Sequence, residues 1–361
     1  MSASSPASTA VQTVSWQGPD VCICGVGART PLGLDAASSA AAVRAGISAV
    51  TVHPAFLDRA DEPMAFASDA LLDECAPLPE RMGRMLAGAL AGLPMDRGDV
   101  DRLRAGCWLG LPEPRTGIVV SDLVDACSEP LQAAGWPAPQ LLARGHAAGL
   151  MALQLAAQRI SEGAVDLALV AAVDSYQDPE TLHRLDRSGW LMSAGNRNGF
   201  PPGEAAGACV LASRGVAHRL GLPVLGRVVA ASTATEPLPI RSTQGVCIGV
   251  GLTAVLRSVI ATLAQPTGAI TATYCDLNGQ RYRNEEFVYA MLRTQEAFVD
   301  AHDYLCPADC WGDVGAACGP LFVALAVAAT QRGYAKGPRP LLWAGSESGY
   351  RSAVLLDLSP A

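Results

Sequence analysis

Residues 143–176 read ARGHAAGLMALQLAAQRISEGAVDLALVAAVDSY, and this stretch decides the fold. A short loop ends in a small-residue turn at Arg144 and Gly145. Residues 147–162 are rich in alanine and leucine and lack proline, which predicts a helix that stops before Gly163. Residues 165–173 are almost continuously apolar, which predicts a strand covered on both faces. His146 then stands at a helix N-terminus, where the dipole and free N–H groups favour an anionic nucleophile. A cysteine would suit that position, because its thiol pKa would be lowered there. This chain carries histidine instead.

The pattern extends in both directions. Strands are expected at residues 21–27, 106–111 and 205–212, and helices at 34–46, 81–93 and 120–127. Polar and basic residues interrupt at 213–223, and then the order repeats in outline. The second series has strands at 225–231, 270–276, 341–344 and 353–358, with helices at 246–264, 285–299 and 314–332. Alternating strands and helices in two similar halves, residues 21–214 and 223–361, predict an α/β protein with buried mixed sheets. Residues 1–20 are Ser/Ala-rich and read as a flexible tail without a secretory signal pattern.

Composition narrows the function. Of 361 residues, 50% are hydrophobic and 17% charged, enough for a large core. A net charge of -8 and the lack of a basic cluster exclude a nucleic-acid surface. The most apolar run, residues 314–329, is too short for a membrane span, so a cytoplasmic protein is expected. None of the eleven cysteines falls in a Cys-x-x-Cys pair, and Cys306 and Cys310 lack a second pair at zinc spacing. They read as buried apolar residues in a reducing compartment, with no metal and no cofactor expected. The Gly-x-Gly at Gly25 and Gly27 is followed by no immediate helix, so it makes a poor dinucleotide site.

Four segments in order resemble the β-ketoacyl synthase branch of the thiolase superfamily. They are CGVGARTPLGLDAASSAAAVRAG (residues 24–46), the run 165–214 with its Gly199-Phe200-x-x-Gly203-Glu204 segment, GDVGAACGPLFVALA (312–326) and LLWAGSESGYRSAVLL (341–356). The resemblance implies a thiolase-like, five-layered αβαβα fold of two pseudo-repeated halves, usually dimeric. It also implies a Cys-His-His site that condenses acyl and malonyl units. At the matching positions this chain departs: His146 for the cysteine, Asn278 and Asp313 for the two histidines, Ala308 for a lysine and Glu347 for a gatekeeper phenylalanine. By the same resemblance Asp276, Cys275, Cys310 and Phe200 fall at the pocket or its mouth, and Asp174 and Glu204 are structural.

The replacements admit two readings each. His146 is a neutral acid/base or hydrogen-bond donor unless a carboxylate such as Asp313 holds it charged, or it only fills a cysteine's space. Asp313 is a catalytic carboxylate or the N-cap of the helix at 314. Glu347 closes an acyl tunnel or is a solvated loop residue. The run Arg281, Arg283, Glu285, Glu286 reads as a solvated face, with Arg281 available to Asp276 or Glu347. The leading expectation is a non-condensing binding or partner subunit, like the family's chain-length factors or a secretion-associated accessory protein. It would form a homodimer, or a heterodimer with a ketosynthase-like subunit, and engage an acyl carrier protein or another protein. The alternative is an acyltransferase or thioester hydrolase using His146 with Asp313 or Asp276.

Overall fold

In a computed structural model, residues 11–359 are described, apart from residues 96, 241 and 244. The first half runs β1 (Thr13–Arg29), α1 (Ala36–Arg44), a hairpin of β2 (Thr51–Leu57) and β3 (Pro63–Phe66), α2 (Leu78–Ala91) and α3 (Arg97–Asp101). It continues with β4 (Ala105–Leu111), α4 (Val120–Ala133), β5 (Gln140–Ala143), α5 (Ala148–Ser161), β6 (Leu167–Ser175), α6 (Pro179–Arg187), β7 (Glu204–Ser213) and α7 (Arg214–Leu220). The second half runs β8 (Gly226–Thr235), α8 (Val250–Ile260), β9 (Ala272–Cys275), α9 (Arg281–Leu292) and β10 (Tyr304–Leu305). It closes with α10 (Ala308–Trp311), α11 (Cys318–Gln331), β11 (Pro340–Gly345) and β12 (Tyr350–Asp357).

The strands order as β10-β9-β11-β12-β8-β1-β7-β6-β4-β5. Read outward from the β8–β1 seam, both halves place their strands in the same sequence, so the expected internal repeat is present. Helices α5 and α11 pack on each other and touch strands of both halves, forming the middle layer. Helix α2 covers the first half from outside and α8 the second. The two middle helices approach closely at Gly149 and Gly319, where an added Cβ on Gly319 would sit 2.6 Å from the Gly149 backbone. Strand β6 shows why its sequence lacks alternation. Ala168 and Val170 enter the central core while Leu167, Leu169 and Val173 enter the outer one.

Three expectations shift. Residues 13–17 are not a tail but the start of β1, paired with β8 from Thr13↔Ala234 to Gln17↔Ala230; residues 1–10 lie outside the described residues. Residues 213–223 hold a helix, α7, whose N-cap Ser213 accepts from Val216 N. Helix α9 starts at Arg281 rather than 285, which puts Arg283 and Glu286 on its buried face. No described helix is long and apolar enough to cross a membrane.

Candidate functional site

Strands β4, β5 and β6 run parallel, as do β9, β10 and β11. The loops leaving their C-terminal ends converge, the usual place for a site in an α/β fold. They deliver Glu113 and Arg115 after β4, His146 after β5, Tyr176 after β6, Asn278 and Gln280 after β9, and Glu347 after β11. A cleft of about 200 Å³ is lined by His146, Asp313, Glu347, Phe200, Gln280, Arg115, Tyr176 and Arg184, among others. A larger hollow of about 660 Å³ lies between α1, β1 and α11 and contains none of these site residues.

Asp313 is the hub. It is 3% exposed, and its carboxylate faces His146 Nε2 at 2.8 and 2.9 Å. It also accepts from Asn278 Nδ2 at 2.6 Å, from Gly315 N at 2.9 Å and from the Tyr176 hydroxyl at 3.4 Å. Its backbone is pinned to the Gly199–Glu204 segment, by Asp313 N to Pro201 O and Gly203 N to Asp313 O. The expectation that Asp313 is the N-cap of a helix at 314 is corrected: α11 begins at Cys318, after a single tight turn at Gly315–Ala317. Gly315 needs its φ of +47°, and a Cβ there would meet the Asp174 carboxylate at 1.9 Å.

His146 occupies the matching turn, Gly145–Ala147, ahead of α5. Burial opposes its charge, as does Arg283, but the adjacent Asp313 carboxylate outweighs both and raises the imidazole pKa. Asp313 is likewise desolvated, yet His146, Arg283 and Asn278 hold it well below the usual carboxylate range. Both shifts favour the imidazolium–carboxylate form of the pair. Nδ1 of His146 has no hydrogen-bond partner among the described residues. The N–H that opens α5 is occupied as well: Ala147 N donates to Ser346 Oγ at 2.9 Å, and that hydroxyl donates to Arg144 O.

The second charge cluster is built on Arg283, not on Arg281. Arg283 Nη1 donates to Asp276 Oδ2 at 2.9 Å and Nη2 to Glu347 Oε1 at 3.1 Å. Arg281 is exposed and pairs with Glu285. Glu347, expected as a gate or a solvated residue, is a ligand of Arg283 and of the Tyr282 hydroxyl at the cleft wall. Burial pushes the Asp276 carboxyl upward against the pull of Arg283. A third pair joins Arg115 Nη2 to Asp174 Oδ1 at 2.7 Å, with the guanidinium 4.3 Å above the Tyr176 ring.

The cysteines supply no nucleophile to the cleft. Cys275, with Ala308, Trp311, Cys318 and Phe322, lines an inner void of only about 10 Å³ behind His146. Burial raises the Cys275 and Cys318 thiols well above their ordinary value. Cys310 lies outside the cleft, and the next residue, Trp311, is core. Phe200 does line the cleft, 5.4 Å from the Tyr176 ring. Sequence reasoning missed Arg115, Tyr176 and Ser346. The available signal was their position just after parallel strands, where loops carry function.

The profile of the family described as "Beta-ketoacyl synthase, N-terminal domain" matches residues 145–217. No curated protein matches the chain. Among solved structures, the oxazolomycin ketosynthase domain of Streptomyces albus superposes with a TM-score of 0.79 at 16% identity, over 95% of this chain and 75% of that one. A type II ketosynthase, bound to a hexaketide and solved with its acyl-carrier protein, gives 0.78 at 14% identity over 94% and 99%. The ishigamide ketosynthase/chain length factor gives 0.69 at 19% identity over 94% and 99%. The chain is thus ketosynthase-like in sequence over residues 145–217 and has the thiolase-like α/β fold over almost its whole length.

Proposed function

We propose that this chain is a ketosynthase-like subunit that no longer condenses acyl units and serves as a binding or partner subunit. One observation carries the reading. The turn that opens α5 presents an imidazole paired with Asp313 instead of a thiolate, and Ser346 fills the adjacent N–H. A covalent acyl intermediate needs an accessible nucleophile and free oxyanion donors; the turn offers no thiolate, and one of its N–H groups, that of Ala147, is occupied. Strand β5 ends the sheet, and Leu141 on it is 44% exposed, which leaves an unpaired edge for a second subunit. A ketosynthase-like partner, or a second copy, is the occupant this reading favours, with an acyl carrier protein as its client.

The test has two arms. Incubated with acyl and malonyl thioesters, the intact protein is expected to keep its mass and to release no carbon dioxide. Co-expressed with a thiol-bearing ketosynthase, it is expected to co-purify, and Leu141→Arg to abolish the complex. A strict monomer that binds neither synthase nor carrier overturns the reading, as does an acyl adduct.

The His146–Asp313 pair favours one second reading, a thioester hydrolase or acyltransferase in which Nδ1 of His146 meets the substrate. It predicts thioester turnover that His146→Ala abolishes at unchanged circular dichroism. Turnover that survives the substitution removes it.

A further inference from the structure

We propose that Glu236, Cys247 and Glu286 form a binding site for one thiophilic divalent cation of the zinc class. The site is separate from the cleft and does not depend on the reading above. Glu236 follows β8, Cys247 lies just ahead of α8, and Glu286 is on the buried face of α9. One donor atom from each lies within 4.8 Å of the other two. Zinc–ligand bonds of about 2.0–2.3 Å would draw such donors together by roughly 1 Å, a change within side-chain rotation.

Two further features point to a ligand. Glu236 is 1% exposed, and while its Oε2 accepts from Gly251 N at 2.6 Å, its Oε1 is buried without a partner. An orphaned carboxylate oxygen in the interior is costly unless something positive meets it. Charge balance agrees. Arg351 neutralises Glu286 through two hydrogen bonds of 2.6 and 2.9 Å, and each carboxylate oxygen keeps a lone pair. The remaining charge is one carboxylate and one thiolate, which matches a dication. Without a cation the same donors repel one another. Burial raises the Glu236 carboxyl, with Glu286 adding to it, and pushes the Cys247 thiol up to about 11. Binding therefore displaces the thiol proton to solvent, and the sulfur gives its lone pair to the metal. Cys247 is only half-buried, so the ion has a way in.

The site braces the cleft. Arg351, held by Glu286, donates to Ser346 O at 2.8 Å, and Ser346 caps the turn that carries His146. Positions 236, 247 and 286 are too dispersed to suggest a metal by spacing.

The experiment is titration of the chelator-treated full chain with Co²⁺, followed by Zn²⁺. One equivalent of Co²⁺ is expected to give a thiolate-to-cobalt charge-transfer band in the near ultraviolet, which Zn²⁺ then bleaches. Cys247→Ser is expected to abolish the band, and Glu236→Gln to weaken binding more than about tenfold, since even outer-shell partners are worth that much. Cys306→Ser and Cys310→Ser are expected to leave it intact. Metal-free melting curves of each variant that overlay the wild type show that the fold is kept. Absence of the band in the wild type, or its persistence in Cys247→Ser, overturns the site.

Discussion

Asp313→Ala is expected to destabilise the protein by about 3–5 kcal/mol, the usual loss when one partner of a buried ion pair is removed. The substitution strands His146 in a desolvated turn, leaves Gly315 N without its acceptor and leaves Asn278 Nδ2 only its 3.2 Å bond to Gln280 Oε1. His146→Ala should cost less, because Asp313 keeps Asn278, Gly315 and Tyr176. The double variant is expected to fall short of the sum, since the two side chains share one interaction. The pH dependence follows from the directions of the shifts. The folded imidazole pKa is raised, so its contribution is complete below the unfolded value of about 6.5 and fades as pH rises through the folded value. The folded carboxyl pKa is depressed, so its contribution is complete above about 3.9 and fades only on acidification toward the folded value. Urea unfolding of wild type and His146→Ala should therefore differ most between about pH 4 and 6.5, and the gap should narrow as pH rises through the folded imidazole value. A gap that does not change with pH would show that the pair is not ionised.

What the sequence disclosed and what it hid divide along one physical line. The stretch 143–176 was legible because β6 is buried throughout and α5 over most of its surface, and such burial writes itself as composition. The position of His146 was legible for the same reason, since it directly precedes that helix. Its charge state was not. That depends on Asp313, 167 residues away, and on whether a carboxylate outweighs a helix terminus. Arg281 and Arg283 look alike in the chain. Only the true start of α9 decides that the second is buried between Asp276 and Glu347 while the first is solvated. The β-start of residues 13–17 was missed because Thr13-Val-Ser-Trp-Gln is short, and its partner β8 lies more than 200 residues away.

Glu204→Ala is expected to cost about 3–5 kcal/mol as well, although the residue touches no part of the cleft. Glu204 and Arg81 are both 0% exposed and joined at 2.5 and 3.0 Å. The same carboxylate takes the Ser175 hydroxyl at 2.8 Å and the Asp69 N–H at 2.8 Å, and Asp69 in turn holds Arg29. Four elements meet on this one side chain: α2, β6, β7 and the segment after β3. Removing it leaves a buried guanidinium whose other bond, to Asp73 O, does not neutralise it. Glu204→Gln keeps the shape and loses the charge, so a smaller loss is expected. Replacing both partners by apolar residues, Arg81→Met with Glu204→Leu, should recover much of the stability, because neither desolvated charge remains. Guanidinium unfolding of the three variants beside wild type tests this, and an Ala variant as stable as wild type would refute it. The result bears on function. The Gly-Phe-x-x-Gly-Glu segment lies within the stretch that matches the ketosynthase profile, yet its glutamate stabilises the floor under the site and takes no part in the cleft above. That interaction does not involve the side chains of His146, Asn278 or Asp313, so it holds the floor of the site independently of them.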